Sequence, residues 1–184
     1  MPSPLVILCP GQGAQAIAMG KAWHDASPES RAIFDAADRI LGSRLGGPLS
    51  MLCFQGPDTL LNRTDVSQPA IFVTSAACWA GLCARWGLGP AEAPLLTTAG
   101  LSLGEYTALY VAGAVSFEDA LELVTLRGRA MQDAAEATPS GMVALIGADE
   151  PQARDVCAAA LADYPGDVLA VSYTHLTLPT NREV

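Results

Sequence analysis

The fold is decided by the stretch Leu95-Leu-Thr-Thr-Ala-Gly100-Leu-Ser-Leu-Gly104-Glu-Tyr-Thr-Ala108. Residues 95–99 predict a strand, and the residues after the glycine-flanked turn predict a helix that ends near Gly113. Between them stands a G-x-S-x-G motif with Ser102 at its centre. Glycines on both sides of a serine allow the sharp strand-to-helix turn of a nucleophile elbow, which projects the serine oxygen above a sheet. Ser102 is therefore the candidate nucleophile.

A second glycine-rich turn follows an earlier apolar segment. Leu5-Val-Ile-Leu-Cys9 predicts a buried strand that leads into Gly11-Gln-Gly-Ala-Gln15. An oxyanion hole needs the N–H of the residue after the nucleophile, here Leu103, and an N–H from a loop that follows another strand. The Gln12 N–H is the candidate for that second donor. A Gly-Gln-Gly sequence alone is more often only a tight turn, but its pairing with the elbow favours the functional interpretation.

Helices and strands alternate along the rest of the chain. Ser27 and Pro28 predict the start of an amphipathic helix that ends at Gly42. Residues 68–86 are apolar almost all round and predict a central, buried helix, and Ser116 predicts the cap of a helix that runs to about residue 137. Strands that alternate with helices indicate an α/β fold with a parallel sheet.

The last part of the chain predicts the opening of a second, smaller unit. Residues 142–146 predict a strand, residues 151–162 a helix, and residues 167–171 another strand. Residues 173–184 show neither a helical nor a strand period. We expect this tail to be non-native sequence.

Arg127 lies beside the apolar stripe of its predicted helix and should partly face the core. A guanidinium in that place requires a partner, and a carboxylate fits its planar fork best. The residues alone favour a structural ion pair with one of the chain's 19 acidic side chains.

Composition excludes several classes of protein. The chain has 184 residues, 51% of them hydrophobic, with a formal charge of −9 and Lys21 as its single lysine. This argues against a nucleic-acid surface, which needs basic residues. We expect no membrane span, no secretory signal and no metal site, and five cysteines without a C-x-x-C pair predict reduced thiols in the cytoplasm.

Four blocks, in order, resemble the signature of the malonyl-CoA:acyl carrier protein transacylase family. The blocks are Pro10-Gly-Gln-Gly-Ala-Gln15, Ser67-Gln-Pro-Ala70, Gly100-Leu-Ser-Leu-Gly-Glu-Tyr-Thr-Ala108 and Arg127-Gly-Arg-Ala-Met-Gln132. The resemblance covers residues from about 4 to about 172. It implies an α/β-hydrolase-like large subdomain with a parallel sheet, in residues 1–138, and the truncated beginning of an inserted ferredoxin-like small subdomain, in residues 139–172.

The resemblance also implies an activity: transfer of malonyl from malonyl-CoA to the phosphopantetheine thiol of acyl carrier protein, in fatty acid biosynthesis. Ser102 would form a malonyl ester, Gln12 and Leu103 would supply the oxyanion N–H groups, and Arg127 would bind the malonyl carboxylate. The coenzyme A thioester is the substrate and no cofactor is implied. The partners would be malonyl-CoA and acyl carrier protein, without nucleic acid or membrane, and we expect a monomer.

Two positions depart from the family pattern. Leu101 stands where the family usually has histidine, and the family's general-base histidine, which lies far downstream of the elbow, has no counterpart. The chain's two histidines are His24, predicted to face solvent, and His175, in the anomalous tail. Three alternatives stay open: a polyketide-type acyltransferase, a serine esterase, and an inactive truncated fragment without its general base.

Overall fold

The computed structural model describes residues 4–138, 141, 143 and 145–171. The chain divides into two compact units, Met1–Pro139 and Ser140–Val184. The first contains the strands β1 (Leu5–Cys9) and β2 (Leu95–Gly100). Its helices are α1 (Lys21–Ala26), α2 (Pro28–Leu41), α3 (Leu49–Gln55), α4 (Asp58–Leu61), α5 (Thr64–Arg85), α6 (Leu103–Val111) and α7 (Phe117–Ala137).

The two strands lie side by side and run parallel, with Cys9 opposite Gly100 at their carboxyl ends. This confirms the α/β class and the parallel sheet. The buried-strand prediction for β1 is wrong, because burial alternates along it: Ile7 packs towards the helices, whereas Val6 and Leu8 are 56% and 76% exposed. Among the described residues only one face of the sheet is covered, so every second apolar side chain meets water.

Helix α5 is the centre of the first unit, and 13 of its 22 residues are buried. It begins at Thr64 and not at residue 68, so Pro69 stands inside its second turn. The sequence led us to expect no apolar segment long enough to cross a membrane. By length and composition alone, α5 is such a segment. Burial inside the protein accounts for its composition, since 72% of the apolar window is covered by other parts of the chain.

Helices α2 and α7 both pack against α5 and begin where the sequence predicted. The Ser27 side chain accepts a hydrogen bond from the Ser30 N–H, and the Ser116 side chain accepts one from the Asp119 N–H. Each hydroxyl satisfies a backbone donor that the first helical turn leaves free. The helices then bury apolar side chains in one core with α5, among them Phe34, Leu41, Leu121 and Val124.

The second unit contains α8 (Glu150–Asp163), which confirms the helix predicted there. The predicted strand at residues 167–171 is wrong, because none of these residues pairs with another described segment and a strand exists only through such pairing. In the predicted strand 142–146, Met142 and Ala144 lie outside the described residues, and Val143, Leu145 and Ile146 are not in a strand. The tail at 173–184, with His175, also lies outside the described residues. The subdomain identities assigned to residues 1–138 and 139–172 stay predictions.

Candidate active site

The G-x-S-x-G segment forms a tight turn between β2 and α6. Ser102 has φ 56° and ψ −110°, a conformation that an L-residue rarely adopts. A Cβ on Gly100 would overlap the backbone of Gly104, and a Cβ on Gly104 would overlap the carbonyl oxygen of Cys9. Both glycines are therefore required by contacts between backbones, and the strained serine between them has the geometry of a nucleophile elbow.

The Ser102 side chain is exposed and turns away from its own helix. Ser102 is the N-cap residue of α6, yet its hydroxyl caps no N–H of that helix. Instead, Arg127 Nη2 donates a hydrogen bond to Ser102 Oγ over 2.8 Å. Ser102 and Arg127 are 25 residues apart in the sequence, and the structure brings them together in one site.

Arg127 is held by neutral groups. Its Nη1 donates to Gln68 Oε1 over 2.7 Å, and its guanidinium carbon lies 5.8 Å from the centre of the Tyr106 ring. Within residues 4–138 no carboxylate forms an ion pair with Arg127, so the structural ion pair that the residues alone favoured is wrong. Among these residues, the positive charge beside Ser102 is therefore not neutralised by a carboxylate.

Close packing of two helices brings these groups together. Gly128 follows Arg127 on α7, and a Cβ there would lie 2.8 Å from the carbonyl oxygen of Thr64 and 3.2 Å from the Cα of Asp65. Gln132 Oε1 also accepts a hydrogen bond from the Thr64 N–H over 2.9 Å. A glycine at this crossing allows the helices to approach closely, as small residues do at helix interfaces.

Sequence reasoning assigned no role to Gln68 or Tyr106. Gln68 stood inside one of the family-like blocks, and an amide buried in a central helix requires a polar partner. That signal was present in the sequence. Tyr106 carried none, because its position above Arg127 depends on how α6 packs beside α7.

The loop after β1 contacts the elbow. A Cβ on Gly11 would lie 3.1 Å from the Leu101 carbonyl oxygen, so the absence of a side chain permits this approach. The Gln12 side chain donates to Thr64 Oγ1 over 3.1 Å. Across the described ranges, no protein acceptor is recorded for the backbone N–H of Gln12 or of Leu103. The assignment of these two N–H groups as oxyanion donors stays a prediction.

A cysteine lies beneath the elbow but is not an alternative nucleophile. Cys9 is 8% exposed, and its Sγ lies 3.7 Å from Thr98 Oγ1. Burial raises the pKa of the Cys9 thiol, and this effect outweighs the lowering by the Thr98 hydrogen bond. Because the thiolate is the reactive form, the raised pKa and the burial both disfavour Cys9 as a nucleophile.

The described residues place no histidine at this site. His24 packs edge-on against Phe34 and Phe54, with ring centres 5.9 and 5.1 Å apart, so the prediction that it faces solvent is wrong. Its Nδ1 lies 3.1 Å from Asp25 Oδ1, and none of its partners belongs to the site. Arg127 only donates, so it cannot take the serine proton. In the same part of the chain, no cluster of acidic, histidine and cysteine residues could hold a metal ion.

Comparisons with known proteins agree with these features. The family model described as "Acyl transferase domain" matches residues 6–171. The mitochondrial malonyl-CoA-acyl carrier protein transacylase of Mus musculus is 43% identical over 143 residues, which are 77% of this chain and 35% of that protein. The malonyl CoA-acyl carrier protein transacylase of Bacillus subtilis is 39% identical over 154 residues, 84% of this chain and 45% of that protein.

A solved structure shows the same backbone arrangement. It is a malonyl-transacylase in complex with a type II polyketide synthase acyl-carrier protein, and it matches with a TM-score of 0.70 at 35% identity, over 88% of this chain and 49% of that one. The chain thus spans less than half the length of these relatives. The resemblance deduced from the four sequence blocks is confirmed, and the chain belongs to the acyl transferase domain family.

Proposed function

We propose that this chain is the nucleophile-bearing part of a malonyl-CoA:acyl carrier protein transacylase of fatty acid biosynthesis. The observation that carries the proposal is the 2.8 Å hydrogen bond from Arg127 to Ser102 Oγ, made by a guanidinium that no described carboxylate neutralises. A malonyl group on that oxygen ends in a carboxylate, which is separated from the oxygen by the ester carbonyl carbon and one methylene carbon. The arginine stands where this carboxylate would be bound, which favours a dicarboxylic acyl group over acetyl.

The chemistry would proceed in two half-reactions. Ser102 Oγ attacks the thioester carbonyl of malonyl-CoA, a base removes the serine proton, and coenzyme A leaves as its thiol. The phosphopantetheine thiol of acyl carrier protein then attacks the malonyl-serine ester, and Ser102 regains its proton. In each step the N–H groups of Gln12 and Leu103 stabilise the tetrahedral oxyanion.

The general base would come from a part of the family domain that this chain does not cover. A serine hydroxyl needs a base to attack a thioester at neutral pH. We therefore propose that the 184-residue chain alone is inactive and that the complete domain is active. No metal or other cofactor takes part in this scheme, and coenzyme A enters only as the substrate's leaving group.

The proposal extends to the subdomains of the protein, its compartment and its oligomeric state. The elbow between β2 and α6 supports an α/β-hydrolase-like large subdomain, and α8 would belong to an inserted ferredoxin-like unit. All five cysteines are free thiols, which supports a reducing compartment such as the cytoplasm, and we propose a monomer that binds neither membrane nor nucleic acid. A serine esterase would leave Arg127 without a role, and a polyketide-type acyltransferase is not favoured over the proposed enzyme.

The test is the Arg127→Ala substitution in the complete protein, assayed with malonyl and acetyl thioesters. Loss of a charge-assisted, two-pronged contact predicts a fall of roughly 10- to 100-fold in malonyl transfer, with little change for acetyl. Arg129→Ala is the matched control, because Arg129 lies on the same helix and is bound by Asp133. Equal losses for both acyl groups would rule out a carboxylate-binding role for Arg127.

A further inference from the structure

We infer that Gln68 is a positioning residue that makes the site selective for acyl groups that end in a carboxylate, by holding Arg127 without neutralising it. This inference deepens the proposed function and rests on it. Gln68 is fully buried in α5 and touches Arg127, but not Ser102. Its effect on the substrate would act through the guanidinium.

The hydrogen bonds fix the orientation of the Gln68 amide. A guanidinium has donors only, so the group that faces Arg127 Nη1 at 2.7 Å must be Oε1. The other end, Nε2, then points to Met131 Sδ at 3.2 Å. Both ends of the buried amide are thus engaged by α7, and the contact with the sulfur is the weaker one.

The same arrangement fixes Arg127. One side of the guanidinium is held by Gln68, its face lies over Tyr106, and Nη2 extends to Ser102 Oγ. Four rotatable bonds separate a guanidinium from its backbone, so an arginine bound at a single point would sample many positions. Anchorage by Gln68 directs the remaining donors towards the acyl group.

The neutrality of Gln68 matters as much as its geometry. A glutamate has nearly the same shape and would accept the same hydrogen bond, but it would form a buried ion pair with Arg127. A substrate carboxylate would then meet a site of zero net charge. Asp65, one turn earlier on α5, does not compete, because Arg63 binds both of its oxygens at 3.1 Å.

The substitutions that test this inference are Gln68→Glu and Gln68→Met in the complete protein, with kcat and KM measured for malonyl and acetyl thioesters. Gln68→Glu keeps the shape and cancels the charge, so malonyl transfer should fall about 10- to 100-fold, mainly through KM, while acetyl transfer stays within about 3-fold. Gln68→Met keeps the size and removes the acceptor oxygen, and should lower the malonyl preference about 10-fold.

Gln152→Glu is the matched control, since it makes the same charge change at the third position of α8, where a glutamate preserves the capping box. If both Gln68 variants lower malonyl and acetyl transfer in parallel, or keep the wild-type preference, Gln68 has no positioning role and the inference is wrong. If one variant does not fold, the other decides. A wild-type protein without malonyl preference would instead overturn the proposed function itself, so the two failures are distinguishable.

Discussion

Helices α7 and α8 begin with equally good caps but end in different environments. Ser116 caps α7, and Asp149 with Gln152 forms a capping box at α8. Six residues of α7 are buried, whereas none of α8 is. The comparison separates two contributions to a helix: hydrogen bonds at its end, which need only neighbouring residues, and burial of an apolar face, which needs the rest of a domain.

The largest difference in stability effect between the two units should come from replacing a glycine by alanine, which adds one methyl group. Gly104→Ala places a Cβ against the Cys9 carbonyl oxygen, where backbone meets backbone and neither can move cheaply. We expect a loss of roughly 3 kcal/mol or more in the free energy of unfolding, or failure to fold. Gly166→Ala is the matched change in the second unit, since apart from its chain neighbours no described residue has an atom within 4 Å of its Cβ position. Urea unfolding of both variants measures the two changes in the free energy of unfolding. Equal changes would show that Gly104 does not pack directly against the Cys9 carbonyl group.

Truncation of apolar side chains should give the next largest difference. Leu121→Ala on α7 removes a side chain with no exposed surface and should cost about 2–5 kcal/mol. Val156→Ala on α8 removes one that is 54% exposed and should change stability by less than about 0.5 kcal/mol. Thermal unfolding of the pair is the measurement. A large effect at Val156 would mean that α8 is packed against part of the protein outside the described residues.

Removing a surface ion pair should change the free energy of unfolding by nearly the same small amount in both units. Arg44 binds both oxygens of Glu122, and this hydrogen bond, more than the charge itself, lowers the pKa of Glu122. On α8, Arg154 lies 2.7 Å from Glu150. Both pairs are about half exposed, so Glu122→Gln and Glu150→Gln should each cost about 0.5 kcal/mol or less near neutral pH.

The pH dependence of the Glu122 pair has a defined sign. A carboxyl whose pKa is lower in the folded state stabilises the fold above its unfolded pKa, near about 4.3, and loses that contribution as the pH falls through the folded pKa. The wild type and Glu122→Gln should therefore differ slightly at pH 7 and coincide in strong acid. Unfolding measured across this range checks the sign, and a difference that grows on acidification would contradict it.

Elements with a strong local signal were predictable, and elements that depend on a partner were not. The caps of α2 and α7 and the turn around Ser102 follow from residues a few positions apart, and the structure confirms them. The strand predicted at 167–171 failed because its apolar residues have no described strand to pair with. The start of α5 was placed four residues late, because the apolar pattern begins only near Pro69, whereas the first turn of the helix contains polar residues such as Thr64 and Asp65.

The candidate site shows the same division. Ser102, Gln12, Leu103 and Arg127 were all proposed from motifs, and their catalytic roles stay predictions. Their sequence contexts identify the residue types that the chemistry needs. The sequence did not reveal that Arg127 would be held by Gln68 and not by a carboxylate, because 59 residues separate the two and only packing brings them together.

By itself, the sequence determined the family, the parallel α/β character and the elbow, because these follow from local spacing and from glycines that no other residue can replace. Tertiary structure decided that, among the described residues, Arg127 is held by an amide and not by a carboxylate, and which groups surround the nucleophile. A close helix crossing at Gly128 places Gln68 beside Arg127 and Arg127 beside Ser102. Contacts of that kind depend on distances between helices, which no local pattern encodes.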